Sequence, residues 1–240
     1  MCCSTSFFEP NEAHHIEPVL ITTTFIQPER DVWVLVPTVN SLLGDKLTAF
    51  APKTIGILYH PLRRTDIAKQ LFDVAALFDA ATDLSTASKV YAAIQARQLF
   101  YRQATFSMAE TLNDSIEAGF QYSQLDLKGG ANTEAGLFLK SGITALQNHL
   151  ISQPFRRDEA RIAAGKVACL AAWIQCPPVG IGIEQLRFQP ERSADLRDLQ
   201  IDEPWKPLNR LKGGNPEAFH YWYQAQQILM AMLTQPQKNV

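Results

Sequence analysis

Two short apolar runs near the start of the chain are followed by segments with a helical repeat. Residues 19–25 (VLITTTF) and 32–36 (VWVLV) are rich in β-branched and aromatic side chains and are bounded by prolines, which is typical of β-strands. From Thr38 onward, apolar residues recur every three or four positions, which indicates helices. The pattern therefore predicts an α+β fold that is predominantly helical, with short N-terminal strands followed by a helical bundle.

The first predicted helix begins with Thr38 or Asn40 as its cap and ends before Pro52. Its apolar stripe consists of Val39, Leu42, Leu43, Leu47 and Phe50. A loop over residues 53–64 leads to a second helix at 65–80, whose core face consists of Ile67, Leu71, Val74 and Phe78. Further helices are predicted at 86–102, 109–124, 133–152, 158–175 and 216–233.

Composition limits the partners that the protein can have. The chain has 240 residues, 46% of them hydrophobic, and a net charge of −2, so it can bury a core but lacks a global basic field for nucleic acid. Its cysteines do not form a disulfide framework, which favours a reduced, cytoplasmic compartment. The longest apolar run, residues 167–174, is too short to cross a bilayer, so we expect a buried core helix and no membrane partner.

Lys46 is the most informative single residue. It follows Leu42 by four positions and precedes Phe50 by four, so it lies inside the apolar stripe of its helix. An ammonium group there needs a carboxylate, a phosphate ligand or a short route to water. Two interpretations satisfy this requirement. Lys46 binds a phosphate, or its stem is packed while its ammonium group reaches solvent.

The second helix supplies polar partners for Lys46. Asp66, Gln70 and Asp73 form a row beside the core face, because they are spaced by four and three positions. Asp73 opposite Lys46 would be either a structural ion pair or a charge held beside a metal-bound triphosphate. Spacing alone does not separate these two interpretations.

These residues lie in a segment that resembles a known family. The runs GDKLTAFAP (44–52), TIGI (54–57) and KQLFD (69–73) are similar to the second conserved region of the AbiEii/AbiGii nucleotidyltransferase toxins. In that family a helix with a lysine precedes a helix with the pattern RDxxD. The resemblance places Lys46 at the active-site lysine and Asp73 at the second aspartate, with Lys69 and Gln70 where the arginine and the first aspartate usually stand.

The resemblance also implies a reaction and its cofactors. It implies Mg²⁺ and a nucleoside triphosphate, with Lys46 and Asp73 as catalytic residues and Lys69 and Gln70 as nucleotide-binding residues. Lys53 and Arg63 are further nucleotide-binding candidates because they lie in the loop after the lysine helix, where they would contact phosphates or simply face solvent. Gln70 lacks the carboxylate that the family has, so no metal ligand is assigned to this region. The family's glycine-serine turn and paired acidic residues do not occur before Gly44. We therefore expect either a truncated chain or a relative without catalysis.

The resemblance divides the chain into residues 1–80, a remnant of a nucleotidyltransferase core, and residues 81–240, a C-terminal helical bundle. One hypothesis is an enzyme of a toxin-antitoxin or phage-defence system that transfers a nucleotide to an RNA or protein acceptor. Its implied partners are an antitoxin protein and an RNA acceptor. The alternative is a catalytically inactive helical interaction module or a relic of such a toxin.

Two other clusters have a functional and a structural interpretation. A basic cluster would either contact RNA or form a solvated surface with the interleaved acidic residues, and the second interpretation is favoured. This cluster consists of Arg156, Arg157, Arg161 and Lys166. An aromatic group near the C-terminus would stack on bases or pack in the core, and helical spacing favours the core. That group consists of Phe219, Tyr221, Trp222 and Tyr223.

Overall fold

The computed structural model describes residues 13–22, 29–151 and 154–234. A two-stranded antiparallel sheet pairs strand β1, Ile16–Leu20, with strand β2, Trp33–Pro37. The first strand begins earlier than predicted because the register pairs Ile16 with Pro37 and Leu20 with Trp33. Residues 23–25 of the predicted strand lie outside the described residues.

The rest of the described chain is helical, which confirms the predominantly helical α+β class. The α-helices are α1 (Val39–Ala49), α2 (Arg64–Ala80), α3 (Leu84–Arg102), α4 (Met108–Ser123), α5 (Glu134–Gln147), α6 (Arg157–Gln175), α7 (Ile183–Leu186), α8 (Leu211–Gly214) and α9 (Pro216–Thr234). Short 3-10 helices lie at Pro61–Arg63, Pro190–Leu196 and Lys206–Arg210.

The predicted helices agree with these bounds to within two residues, except at the end of α5. That helix ends at Gln147 and not at residue 152. There the N–H of Asn148 bonds to the carbonyl of Ala145 and that of His149 to Leu146, so the last turn tightens to 3-10 geometry and the chain leaves the helix.

The hairpin is fixed to the start of α1 by backbone and hydroxyl groups. The N–H of Thr38 donates to the carbonyl of His15, and the N–H of His15 donates to Oγ of Ser41 at 2.9 Å. Thr38 is also the N-cap of α1, because its side chain accepts from the N–H of Ser41. Of the two predicted caps, Thr38 is therefore the one confirmed, and it joins the strands to the bundle.

Helix α6 lies at the centre of the core and packs against α2, α4 and α9. Residues 163–174 are all buried, which confirms the predicted core helix at 167–174. Glycine and alanine permit the close contacts: a Cβ on Gly165 would lie 3.1 Å from the carbonyl oxygen of Ala218 on α9. None of the described helices is long and apolar enough to cross a membrane.

The aromatic group on α9 belongs to this core, as predicted. Phe219, Tyr221 and Trp222 are buried, and the ring of Tyr223 stacks on that of Phe219 with an interplanar angle of 22°. One continuous set of buried apolar residues extends from Leu43 to Ile228, and α2 packs on α5 and α6. The division of the chain at residue 80 stays a prediction.

Gly44→Ala is expected to destabilise the fold, because an added Cβ would lie 2.2 Å from the carbonyl oxygen of Ala87 on α3. Relief of this clash requires α1 and α3 to separate, and overpacking of this kind costs about 1–3 kcal/mol. Urea unfolding of the purified protein measures the loss.

The matched control is Gly213→Ala, because nothing lies within 4 Å of the position that its Cβ would take. Its free energy of unfolding should stay the same or rise slightly. Equal stabilities of the two variants would contradict the close approach of α1 and α3.

Candidate functional site

Lys46 on α1 and Asp73 on α2 face each other, as their positions in the two helices predicted. Nζ of Lys46 lies 3.4 Å from Oδ2 of Asp73, and Nζ of Lys69 lies 2.7 Å from the same oxygen. One carboxylate oxygen therefore contacts two ammonium groups. These three residues are called the α1–α2 cluster below.

Burial differs within the α1–α2 cluster. The side chain of Lys46 is 34% exposed, that of Lys69 is 54% exposed and that of Asp73 is 20% exposed. Leu43 and Leu47 flank Lys46 on α1 and are fully buried, so the lysine stem is packed while its head reaches solvent. The expected anionic partner is present, and the ammonium groups also remain open to a ligand.

The other predicted nucleotide-binding residues have different surroundings. Gln70 is buried on α2, and its Oε1 has no hydrogen-bond partner. Arg63 is exposed and forms an ion pair with Asp66 at the start of α2. The side chain of Lys53 is exposed in the loop after α1. The structure thus brings Lys69 to Lys46 and Asp73, whereas Arg63 is engaged with Asp66.

The donors of the α1–α2 cluster suit an anion better than a metal ion. Magnesium takes oxygen ligands, and the carboxylate here is already shared by two ammonium groups. Among the described residues, no group of three or more histidine, cysteine or acidic side chains is placed to hold a metal. The residues of this cluster do not fit a Mg²⁺ site, but its two lysines can neutralise phosphate oxygens.

Asp114 on α4 holds the loop that follows Lys46, and the sequence analysis did not select it. Its Oδ2 accepts from the N–H of Lys53 at 2.8 Å, from the N–H of Thr54 at 2.9 Å and from the Thr54 hydroxyl at 2.8 Å. Burial raises the pKa of Asp114, and these hydrogen bonds oppose that rise. Arg102 donates to the carbonyl of Gly56 at 2.8 Å and fixes the same loop.

A signal for Asp114 was present in the sequence. It lies three positions after Thr111 and four before Ala118, on a face of α4 that is buried. An acidic residue inside such a face needs donors, by the argument that selected Lys46. The loop that it holds contains Lys53, one of the predicted nucleotide-binding residues.

The solvated basic surface that we expected at the start of α6 is present only in part, because Arg156 and Arg157 are exposed but the other two residues are not. Arg161 and Lys166 are both only 6% exposed, so this prediction is wrong for them. Lys166 contacts Asp79 of α2 at 2.6 Å and Glu217 of α9 at 3.6 Å. The reason is that α6 is enclosed by neighbouring helices and not laid on the surface of the bundle.

Comparisons with protein-family models, with curated proteins and with solved structures find no match to this chain.

Asp114→Ala is expected to lower the free energy of unfolding by about 1–3 kcal/mol, because it leaves the donors of Lys53 and Thr54 without their acceptor. Thermal or urea unfolding at neutral pH measures the change. Thr54→Val is the graded control, since it removes the hydroxyl donor and keeps both backbone N–H groups on Asp114. Equal losses in the two variants would show that the backbone contacts contribute nothing.

Proposed function

We propose that this chain is a nucleotidyltransferase-like protein of a bacterial toxin-antitoxin or phage-defence system. In this proposal a nucleotide moves from a nucleoside triphosphate to an RNA or protein acceptor, and the α1–α2 cluster binds the phosphates. The observation that carries it is the 3.4 Å contact between Lys46 and Asp73, with Lys69 on the same oxygen. The resemblance of residues 44–73 to the AbiEii/AbiGii toxins selects the same residues.

The residues of the cluster would have separate roles. Lys46 neutralises phosphate charge, and Asp73 positions the ammonium group of Lys46 by the contact that it makes in the free protein. Lys69 adds a second ammonium group beside the same carboxylate. Lys53 and Arg63 are exposed and would bind the rest of the nucleotide, Arg63 after leaving its ion pair with Asp66, whereas Gln70 is buried on α2.

The resemblance implies Mg²⁺ as a cofactor, which would supply charge neutralisation at the phosphates. The α1–α2 cluster would not hold this metal, because its one carboxylate, that of Asp73, is already bound by two lysines. The compartment that we propose is the cytoplasm, which supplies both nucleotides and RNA. The rigid loop at Lys53 and Thr54 would border the nucleotide, since Asp114 and Arg102 fix its backbone.

Lys46→Met is expected to lower the affinity for a nucleoside triphosphate by about tenfold or more, because a charged contact to phosphate is lost. Its free energy of unfolding should change by no more than about 1 kcal/mol, since a partly exposed ion pair contributes little. Isothermal titration with ATP and GTP, with and without Mg²⁺, measures the affinity.

The control is Lys89→Met, which removes an exposed ammonium group on α3 and has the same change in net charge. It should bind nucleotide like the unmodified protein. If Lys46→Met and Lys89→Met bind equally well, or if Lys46→Met unfolds, the lysine is structural and the proposal loses its main support.

The alternative, a helical interaction module, is favoured by the hairpin. Trp33 is 60% exposed and Leu35 is 68% exposed, and a two-stranded hairpin is only marginally stable without a covering surface. Further exposed apolar residues on this hairpin and beside it are Ile16, Val19, Ile21, Val32 and Val34. Apolar groups of this kind mark protein contact sites. In this second proposal the partner is an antitoxin-like protein.

Trp33→Ser combined with Leu35→Ser should weaken the complex with an antitoxin-like partner by about tenfold or more, because large apolar anchors dominate such interfaces. Surface plasmon resonance with the purified partner measures this loss. Leu62→Ser is the control, because Leu62 is 85% exposed and lies outside the hairpin. Nucleotide affinity should be unchanged in both variants, which separates this proposal from the first.

A further inference from the structure

A cavity of about 170 Å³ lies between α4, α5 and the first turns of α6. It is smaller than the roughly 300–1,000 Å³ of pockets that take whole organic ligands. Its polar lining consists of Tyr122, Asp126, Lys140, Thr144, Gln147, Arg157 and Arg161. The cavity shares no residue with the α1–α2 cluster.

The charges that line the cavity do not balance. Three cationic side chains, those of Lys140, Arg157 and Arg161, face a single lining carboxylate, that of Asp126. Oδ2 of Asp126 lies 3.3 Å from Nζ of Lys140 and 3.4 Å from Nη2 of Arg157. Asp126 therefore bridges the two exposed cations and makes no ion pair with the third.

Arg161 is the buried cation of the three. Arg161 is only 6% exposed. Its Nη2 donates to the carbonyl of Leu125 at 2.6 Å, and its Nε has no hydrogen-bond partner. The nearest carboxylate, that of exposed Asp158, is 3.9 Å away. Burial lowers the pKa of Arg161, and the charge of Arg157 lowers it further. A buried guanidinium group with an unused donor is stabilised when an anion binds beside it.

The start of α6 adds to this positive potential. The helix begins at Arg157 and runs for five turns, so the partial positive charge of its N-terminus lies at the same end as both arginines. Guanidinium groups bind phosphate oxygens through paired N–H donors. The three cationic side chains come from α5 and α6, so the lining cations are carried by helices and not by loops.

We propose that this cavity binds one phosphate group, held by Arg161, Arg157 and Lys140. Its volume admits a single phosphoryl group and excludes a whole nucleotide. The group is either free inorganic phosphate or the terminal phosphate of an RNA strand. The proposal does not rest on nucleotide binding by the α1–α2 cluster and stands if that function fails.

Asp126 competes with phosphate at this site, because its carboxylate already forms ion pairs with Lys140 and Arg157. Its backbone has φ of 59°, in the left-handed region, and asparagine adopts this conformation readily. Asp126→Asn therefore keeps the turn and removes the competing charge. A phosphate site predicts tighter binding in this variant, whereas a purely structural ion-pair cluster predicts only a change in stability.

The test is isothermal titration of the full chain with inorganic phosphate, at an ionic strength held constant with chloride. The unmodified protein should bind phosphate, Asp126→Asn should bind about tenfold more tightly, and Arg157→Gln and Lys140→Gln should each bind about tenfold more weakly. These side chains are about half exposed, so their replacement should leave the fold intact. Arg161→Gln should abolish binding, and its thermal unfolding is measured alongside.

Arg192→Gln is the matched control, because Arg192 is exposed and paired with Asp195 at 3.1 Å, away from the cavity. Its phosphate affinity should equal that of the unmodified protein. Titration with a short RNA that ends in a 5′-phosphate, and with the same RNA ending in a 5′-hydroxyl, then assigns the source. Tighter binding of the phosphorylated strand than of free phosphate assigns RNA, and equal or weaker binding assigns the free ion.

Absence of phosphate binding in both the unmodified protein and Asp126→Asn would overturn the proposal. Equal phosphate affinities of Arg157→Gln and Arg192→Gln would overturn it as well, because binding would then reflect net charge and not this cavity. If the folded Arg161→Gln variant keeps full affinity, the buried guanidinium group does not hold the ligand and the assignment also fails.

Discussion

The close approach of α4 and α9 to α6 is the constraint on which the rest of the bundle depends. A helix that is buried on nearly every side must present small side chains, because its neighbours leave little room between the axes. Gly165 admits the carbonyl of Ala218 on α9, and Gly119 of α4 lies against Ala164. These contacts fix the spacing of the layers, so the positions of the other helices follow from them.

Contacts of charged side chains then fix how α2 is rotated about its own axis relative to α6. Lys166 reaches from α6 to Asp79 near the end of α2 and to Glu217 on α9, which joins three helices through one ammonium group. Arg187 donates to the carbonyls of Asp79 and Ala81, so it satisfies acceptors that the end of α2 leaves open. With α2 held in this way, its polar edge faces α1 and Asp73 meets Lys46.

Sequence periodicity predicted the helices and one contact of the candidate site, because large apolar residues at regular spacing define a core face. The same spacing placed Lys46 and Asp73 on facing edges. Periodicity did not reveal that Arg161 and Lys166 are buried. The alanines around them on α6 are small enough for either a core face or a solvent face, so their spacing does not indicate which face is buried. Nor did periodicity link Asp114 to Thr54, because that contact spans 60 positions and depends on how the helices pack.

Helix α1 contacts both the N-terminal hairpin and the α1–α2 cluster. Ser41 bonds to the backbone of His15, and Asp45 lies 3.4 Å from Nε2 of His14, while the next residue along the helix is Lys46. A short helix moves as a rigid rod, since its backbone hydrogen bonds resist local bending. A partner that displaced the hairpin together with α1 would therefore move Lys46 relative to Asp73. The exposed apolar side chains of the hairpin and the candidate phosphate-binding lysine are thus linked by one continuous set of contacts through α1.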